Sequence, residues 1–276
     1  MQCPTCGETV TGRECITCGT PAGGPVVWPG VRTRSVHAVG TAAVVAVAVV
    51  VLVDIITALF PWYALPLAER ARDTGDRAVL DPAYAGELAL FVAYCGSYVV
   101  AAVLVIVWLY RARANLEAFP GATPSLSESW AAASWFLPFA NMVIPCLVMN
   151  GVARSSLLRT RTGVLVGIWW GAYLLTGLFS NLGGGLIEGI YDTPPADSSV
   201  SLQRYVDHYG SAIPGNVTGS VLLVIAGVML SVLILRISRA QEERLARAAT
   251  WQPVPPDPAG GPGDGLRRAG DATIGP

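Results

Sequence analysis

The stretch SWFLPFANMVIPCLVMNGVARSS, residues 134–156, is almost entirely apolar, yet it carries Pro138, Asn141 and Pro145 within eight positions. Each proline lacks an amide hydrogen and clashes with the carbonyl four residues earlier, so a continuous helix is interrupted twice. Three arrangements fit such a segment: a re-entrant hairpin in a membrane, a kinked helix at the membrane surface, or a kinked spanning helix. The choice among them sets the topology of the rest of the chain.

The composition indicates a polytopic membrane protein. The 276 residues are 53% hydrophobic and 13% charged, with a mean hydropathy of +0.51, whereas soluble domains carry about 25% charged residues. All 18 basic residues are arginine, which together with abundant Ala, Val, Gly and Pro suggests a GC-rich bacterial genome. The net charge of −1 argues against a nucleic-acid partner.

Four apolar runs are long enough to cross a bilayer, which takes about 20 residues of helix. They lie at residues 38–60, 88–110, 163–187 and 217–235. In hydrocarbon such segments must be helical, because no water satisfies their backbone groups. We therefore predict an all-α polytopic membrane protein with four transmembrane helices, one proline-broken re-entrant or interfacial segment, and a small N-terminal zinc ribbon.

Arginine placement predicts the orientation of the helices. Clusters of arginine flank the runs at residues 32–34, 111–113, 154–161 and 236–247. The other two connections, 61–87 and 188–216, carry net charges of −2 and −3. These two loops are expected outside a plasma membrane, and both termini are expected in the cytoplasm.

This distribution favours a re-entrant position for residues 130–153. A spanning helix there would move the arginines after residue 153 to the outside and the acidic loop 188–216 to the inside. The arms 130–137 and 146–153 have eight residues each and reach about 12 Å as helix, which suits a half-depth hairpin with Asn141 near its turn. A helix at the cytoplasmic interface remains the alternative.

The sequence resembles an uncharacterised bacterial membrane family, domain of unknown function 4328. The resemblance rests on RARANLEAF at 111–119, WAAASWFLPFANMVIP at 130–145 and VARSS at 152–156, and covers roughly residues 38–240. The positions that match the family pattern are Arg111, Arg113, Asn115, Leu116, Trp135, Phe136, Pro138, Asn141 and Pro145. The resemblance implies a fold but no activity.

The N-terminus carries a metal-site pattern, CPTCGETVTGRECITCG. Its C-x2-C-x8-C-x2-C spacing supplies four thiolates from two tight turns, as a structural zinc site requires; the ligands are Cys3, Cys6, Cys15 and Cys18. About twenty residues cannot build a core, so Zn²⁺ is expected to supply the folding energy. The alternatives are a disulfide pair, which a cytoplasmic location disfavours, and a redox dithiol, for which the surrounding sequence shows no βαβ pattern.

Asp54 lies within the first apolar run, where an acid is costly. It is either a proton or cation site facing the bundle or an acid that reaches toward the outer interface. Other site candidates are Trp135, Pro138, Asn141 and Pro145. No catalytic motif is present, so we expect a protein that is not an enzyme.

These features predict four regions: a zinc ribbon at 1–20, a linker at 21–36, a membrane bundle with a cytoplasmic helix extension at 37–249, and a disordered Pro/Gly-rich tail at 250–276. The favoured function is an interaction, regulatory or scaffold module. Its partners would be the lipid bilayer and a cytoplasmic protein that contacts the ribbon or the tail, and the sequence leaves an oligomer open. The alternative function is a small channel or transporter that uses Asn141 and Asp54.

Overall fold

The computed structural model of the chain describes residues 2–158, 162–180 and 199–250. Among these residues there is no β-strand, and extended pairing is limited to two isolated bridges near the N-terminus. The helices are α1 His37–Thr74, α2 Asp81–Ala114, α3 Trp130–Ala133, α4 Pro138–Asn141, α5 Ile144–Leu157, α6 Thr162–Ser180 and α7 Ser199–Thr250. Short 3₁₀ turns lie at Arg77–Leu80, Asn115–Ala118 and Ser134–Phe136. The predicted all-α class is confirmed.

Three helices are long and apolar enough to cross a membrane: His37–Thr74, Arg77–Ala118, which is α2 with its flanking turns, and Leu202–Thr250. A shorter apolar helix covers Thr162–Leu178. The predicted fourth span at 163–187 begins in α6, but its last seven residues lie outside the described residues. The count of four spans therefore stays a prediction.

The outer faces of these helices are apolar. On α2, a set of large side chains is 53–65% exposed: Leu88, Phe91, Val92, Val99 and Val103. A contiguous exposed apolar surface of this kind marks an interaction with a membrane or a partner. Since it belongs to helices of spanning length, it is the surface that hydrocarbon would cover.

The end of the bundle farther from the cysteines is more helical than the sequence suggested. We expected long loops at 61–87 and 188–216, but α1 continues to Thr74 and α7 begins at Ser199. The continuation buries a row of alanines from α1 against α2 and α7. Three of them, Ala64, Ala68 and Ala71, recur on one helix face and are fully buried.

A tight turn joins α1 to α2. Gly75 ends α1 with a φ of 71°, a left-handed conformation that glycine adopts at no steric cost. Asp76 then accepts the Ala78 amide hydrogen at 2.9 Å and starts the 3₁₀ turn. Pro82 lies in the first turn of α2, where its missing amide hydrogen is not needed.

The proline-rich segment is broken at the two predicted places. Leu137 is extended, with φ −105° and ψ 114°, because the residue before a proline disfavours the helical conformation. A second break occurs at Val143, and Pro145 lies in the first turn of α5. The segment is therefore three short helical pieces, α3, α4 and α5, rather than one helix.

The segment enters and leaves the bundle at the same end. The Gln241 amide donates to the Ala112 carbonyl, at the end of α2 from which the chain leads into the segment, and to the Ser156 hydroxyl, at the end of the segment, both at 3.0 Å. Its far point is held by the Trp170 indole, which donates to the Met142 carbonyl at 2.9 Å. Trp170 lies eight residues into α6, which corresponds to a depth of about 12 Å.

Candidate metal centre and the polar network beneath it

The four cysteines at the N-terminus form one cluster. Their Sγ atoms all lie within 4.8 Å of one another, and two Sγ pairs, Cys3 with Cys18 and Cys6 with Cys15, are separated by 3.4 Å each. No disulfide joins them in the described part of the chain, where all six cysteines are free. This arrangement could hold a metal ion.

Two turns of the same design present the sulfurs. In the first turn, Cys3 donates its amide hydrogen to Glu8 at 2.8 Å and accepts one from Gly7 at 2.9 Å. The second turn repeats this pattern between Cys15, Thr20 and Gly19. Gly7 and Gly19 have φ values of 78° and 66°, a left-handed conformation that glycine adopts at no steric cost.

The thiols differ in their tendency to ionise. The Cys18 amide hydrogen, directed at the Cys15 sulfur, lowers the pKa of Cys15 to about 7. Burial raises the pKa of Cys6 to about 12 and also raises the pKa of Cys18. A cation at the centre would reverse this burial effect, because a coordinated thiol is deprotonated.

The cysteine-rich region packs directly on the helix bundle. The backbone of Gly19 meets that of Gly121, a residue of the loop between α2 and α3 with a φ of 79°. A Cβ atom at position 121 would lie 2.2 Å from the Cys18 carbonyl oxygen. Only glycine fits there, so the contact is a backbone-to-backbone joint.

Two arginines of α7 complete this joint. Arg244 is buried, donates to the carbonyls of Val26 at 3.2 Å and Pro120 at 2.9 Å, and stacks over the Phe119 ring at 4.3 Å. Burial lowers the pKa of Arg244 to about 10, which leaves it cationic at neutral pH. Arg247 donates to the Thr5 carbonyl at 3.3 Å. These two arginines belong to the cluster at 236–247 that was used to predict orientation, and they also donate hydrogen bonds to backbone carbonyls.

Beneath the cysteines lies a fully buried amide pair. The Asn115 side chain accepts the Arg34 amide hydrogen at 2.7 Å and donates to the Arg34 carbonyl at 2.8 Å. It also donates to the Gln241 oxygen at 2.9 Å, and Gln241 in turn binds Ala112 and Ser156. This pair joins the chain before α1 to the ends of α2, α5 and α7.

A second buried arginine, Arg113, orders the loop between α2 and α3. The Arg113 Nε atom donates to the Leu126 carbonyl at 2.8 Å, its Nη2 donates to the same oxygen, and its Nη1 binds Glu117 at 2.9 Å. The motif RARANLEAF therefore holds the loop that carries Gly121, on which the cysteine region rests.

The other predicted site residues are dispersed. Trp135 packs edge-on against Trp170, with ring centroids 6.2 Å apart. Asn141 lies near the far point of the broken segment, as predicted, and its Oδ1 atom is buried without a hydrogen-bond partner. Asp54 contacts Ser220 from α1, and its Oδ2 atom is likewise without a partner. No described contact joins Asp54 to Asn141.

Sequence reasoning did not single out Gln241, Arg244, Gly121 or Trp170. Gln241 and Arg244 follow the last apolar run, where polar residues are normal, so no sequence signal marked them as buried. Gly121 in FPGATP resembled an ordinary turn. A sequence signal did exist for Trp170, because carbonyls left unpaired where a helix is broken require donors from neighbouring helices.

Comparison with protein families confirms the family resemblance that the sequence indicated. A family model described as Domain of unknown function (DUF4328) matches residues 73–239, which include the RARANLEAF motif, the broken segment and Trp170. The chain belongs to the DUF4328 family. The match begins near the end of α1, later than the expected residue 38, and the cysteine region lies outside it. Comparisons with curated proteins and with solved structures find no match.

Proposed function

We propose that this DUF4328 protein is a non-enzymatic module of the plasma membrane that displays a zinc ribbon to a cytoplasmic protein partner. The observation that carries the proposal is the joint between Gly19 and Gly121. A ribbon that served as an independent binding domain would need only a flexible tether. Here the ribbon rests on the bundle through backbone contacts and two arginines, so the two parts present one surface.

Zinc is the metal that fits the four thiols best. Tetrahedral zinc with Zn–S distances of about 2.3 Å places its ligands about 3.8 Å apart. The Sγ separations, from 3.4 Å to at most 4.8 Å, bracket this value. Cys3, Cys6, Cys15 and Cys18 would hold the ion, and four thiolates close its coordination shell. A structural role follows, since no position is left for a substrate.

The membrane position we propose has four spanning helices and a re-entrant segment. The 19 residues of α6 give a length of about 28 Å, close to the hydrocarbon thickness. Both ends of the broken segment lie at the end of the bundle that carries the cysteines and most of the arginines. Placing that end in the cytoplasm satisfies the arginine rule throughout. The exposed apolar residues of the far point, Phe136 at 78% and Phe139 at 89%, would then contact lipid tails.

Cysteine labelling tests this orientation. With Cys95 and Cys146 replaced by alanine, Asp73→Cys should react with a membrane-impermeant thiol reagent from outside, and Arg154→Cys should not. Reaction of Arg154→Cys from outside would show that the broken segment spans the bilayer. Mass spectrometry of the labelled peptides separates these sites from the ribbon cysteines.

The ribbon surface offers a defined contact for a partner. Ile16, in the second cysteine turn, is 95% exposed, so burying it against a partner would remove its whole apolar side chain from water. Its position between two predicted zinc ligands fixes its direction. A cytoplasmic protein with an apolar recess would bury it.

Crosslinking in native membranes tests the proposal. Ile16→Asp should remove the partner's crosslinks, whereas Thr11→Asp, at an exposed position of the same ribbon, should keep them. Gly121→Val should release the ribbon from the bundle and also weaken the crosslinks, while the zinc content stays near one ion per chain. Equal crosslinking in wild type and all three variants would contradict the proposal.

A channel or transporter is the second candidate. The observation that favours it is the pair of unpartnered oxygens, Asn141 Oδ1 and Asp54 Oδ2, inside an apolar bundle. Flux measurements in proteoliposomes distinguish the candidates. A transport protein should lose flux in Asp54→Asn and Asn141→Leu while remaining folded, and a scaffold should show no flux with any variant.

A further inference from the structure

The middle of the bundle contains an apolar crevice of about 100 Å³. Helices α1, α2, α6 and α7 all contribute to its walls. The residues used below are Tyr98, Ala102, Val105, Trp135, Trp169 and Tyr173. Seven residues separate Tyr98 from Val105 on α2, so the crevice extends about 10 Å along the helix axis. It occupies the half of the apolar run nearer the cysteine cluster.

The crevice opens sideways between α2 and α6. Helix α1 packs against α2 and α7, and α6 packs against α7, but the described residues show no close backbone packing between α2 and α6. On this side the gap is bridged by the hydroxyls of Tyr98 and Tyr173, 2.5 Å apart. The opening therefore meets the exposed apolar surface of α2, which includes Val99 and Val103.

The broken segment contributes one wall of the crevice through Trp135. The Trp135 side chain lines the crevice, and its indole hydrogen is donated to the Ala131 carbonyl at 3.1 Å. The two tyrosine hydroxyls are paired with each other. The wall therefore presents ring carbons and aliphatic groups, and none of these three polar groups needs a polar ligand.

We infer that the crevice holds the tail of a membrane lipid, a single acyl chain that enters between α2 and α6. An apolar void of this size stays dry, because water would find no hydrogen-bond partners. An empty void would also forfeit dispersion contacts along its whole lining. Lipid hydrocarbon borders the opening and is therefore available to fill the crevice, which is continuous with the lipid-facing surface. Since the crevice begins near the middle of the apolar run, the methyl end of the chain lies deepest.

Photocrosslinking tests this inference on the full chain in phosphatidylcholine vesicles. The probes are phosphatidylcholines with a diazirine either near the methyl end or near the carbonyl end of one chain. We expect the methyl-end probe to label Trp135, Trp169 and Tyr173 more strongly than the carbonyl-end probe does. Exposed Phe91, near the other end of α2, gives the level of labelling by bulk lipid.

Filling the mouth of the crevice provides the decisive variant. Ala102→Leu should reduce labelling of the three crevice residues about tenfold, because its added carbons occupy the space of the chain. Ala93→Leu, at an exposed position on the same helix, should leave that labelling unchanged. In both variants the labelling of Phe91 reports that α2 remains embedded.

Two results would overturn the inference. One is labelling of Trp135, Trp169 and Tyr173 at the same level as Phe91, and the other is labelling that Ala102→Leu leaves unaltered. If Ala102→Leu does not fold, Ala226→Val, a smaller filling from α7, replaces it with the same expected loss. The vesicles contain no partner protein, so these outcomes are independent of the proposed scaffold function.

Discussion

The two ends of the bundle are stabilised by different kinds of contact. At the far end, α1, α2 and α7 pack through alanines and tyrosines, and the polar contacts are exposed or half-buried. At the cysteine end, Arg113, Arg244, Asn115 and Gln241 are all buried. One end is held by close helix packing and the other by hydrogen bonds from side chains to backbone carbonyls.

The difference follows from what each end must hold. The far end joins long helices that already satisfy their own backbone groups. The cysteine end must hold irregular chain, namely residues 21–36, the loop 119–129 and the ribbon, whose backbone groups need partners. Arginine and amide side chains supply them, so removing such a side chain should cost more than a comparable change at the far end.

The largest expected effect is the loss of the proposed zinc site. The double change Cys3→Ser and Cys6→Ser should unfold residues 1–20, because structural zinc contributes about 10–16 kcal/mol to such a fold. Hydrogen exchange should then rise across residues 2–36 and stay low at the far end, in 61–74. Equally protected ribbon amides in the variant and the wild type would show that the bundle alone holds the ribbon.

The next effect concerns two glutamines on one helix. Gln241→Leu leaves Asn115, Ala112 and Ser156 with unpaired buried groups and should lower the free energy of unfolding by about 3 kcal/mol. Gln203, at the far end of α7, bonds Asp207 and Arg72 at the surface, so Gln203→Leu should cost less than about 1 kcal/mol. Equilibrium unfolding in mixed micelles measures both. Similar losses in the two variants would abolish the contrast between the ends.

A smaller effect is expected for Arg244→Lys. Lysine keeps the charge but cannot reach both carbonyls or stack in the same way over Phe119, so a loss of about 1–2 kcal/mol is expected. The matched control is Arg239→Lys, at an exposed position five residues earlier on α7, which should be nearly neutral. If the two lysine variants are equally stable, charge rather than geometry holds the joint.

The smallest loss of stability is expected for Tyr209→Phe, at the far end. The Tyr209 hydroxyl bonds Glu87, whose carboxylate is partly exposed and can be hydrated. Tyr209→Phe should therefore cost about 1 kcal/mol or less while its ring remains packed. Thermal unfolding in detergent measures the change. A loss as large as that of Gln241→Leu would mean that the far end also depends on polar contacts.

Several features of this DUF4328 protein were predictable because they depend on local chemistry. Pro138 and Pro145 break the helix wherever it lies, and glycine after each Cys-x-x-Cys pair permits the turn that gathers the sulfurs. Runs of about 20 apolar residues gave three long helices. The far end was not predicted, because hydropathy counts apolar length and overlooks a helix that continues through Ala64, Ala68 and Ala71.

The sequence by itself determined the membrane class, the family, the positions of the breaks and the identity of the four thiols. Each depends on residue type and short spacing. The tertiary structure alone decided that Gln241 joins the end of α2 to the end of α5, that Gly121 receives the cysteine region, and that Arg113 and Arg244 are buried. Many of these contacts join residues 85 to 218 positions apart, and burial of a polar group depends on which partner the fold brings to it.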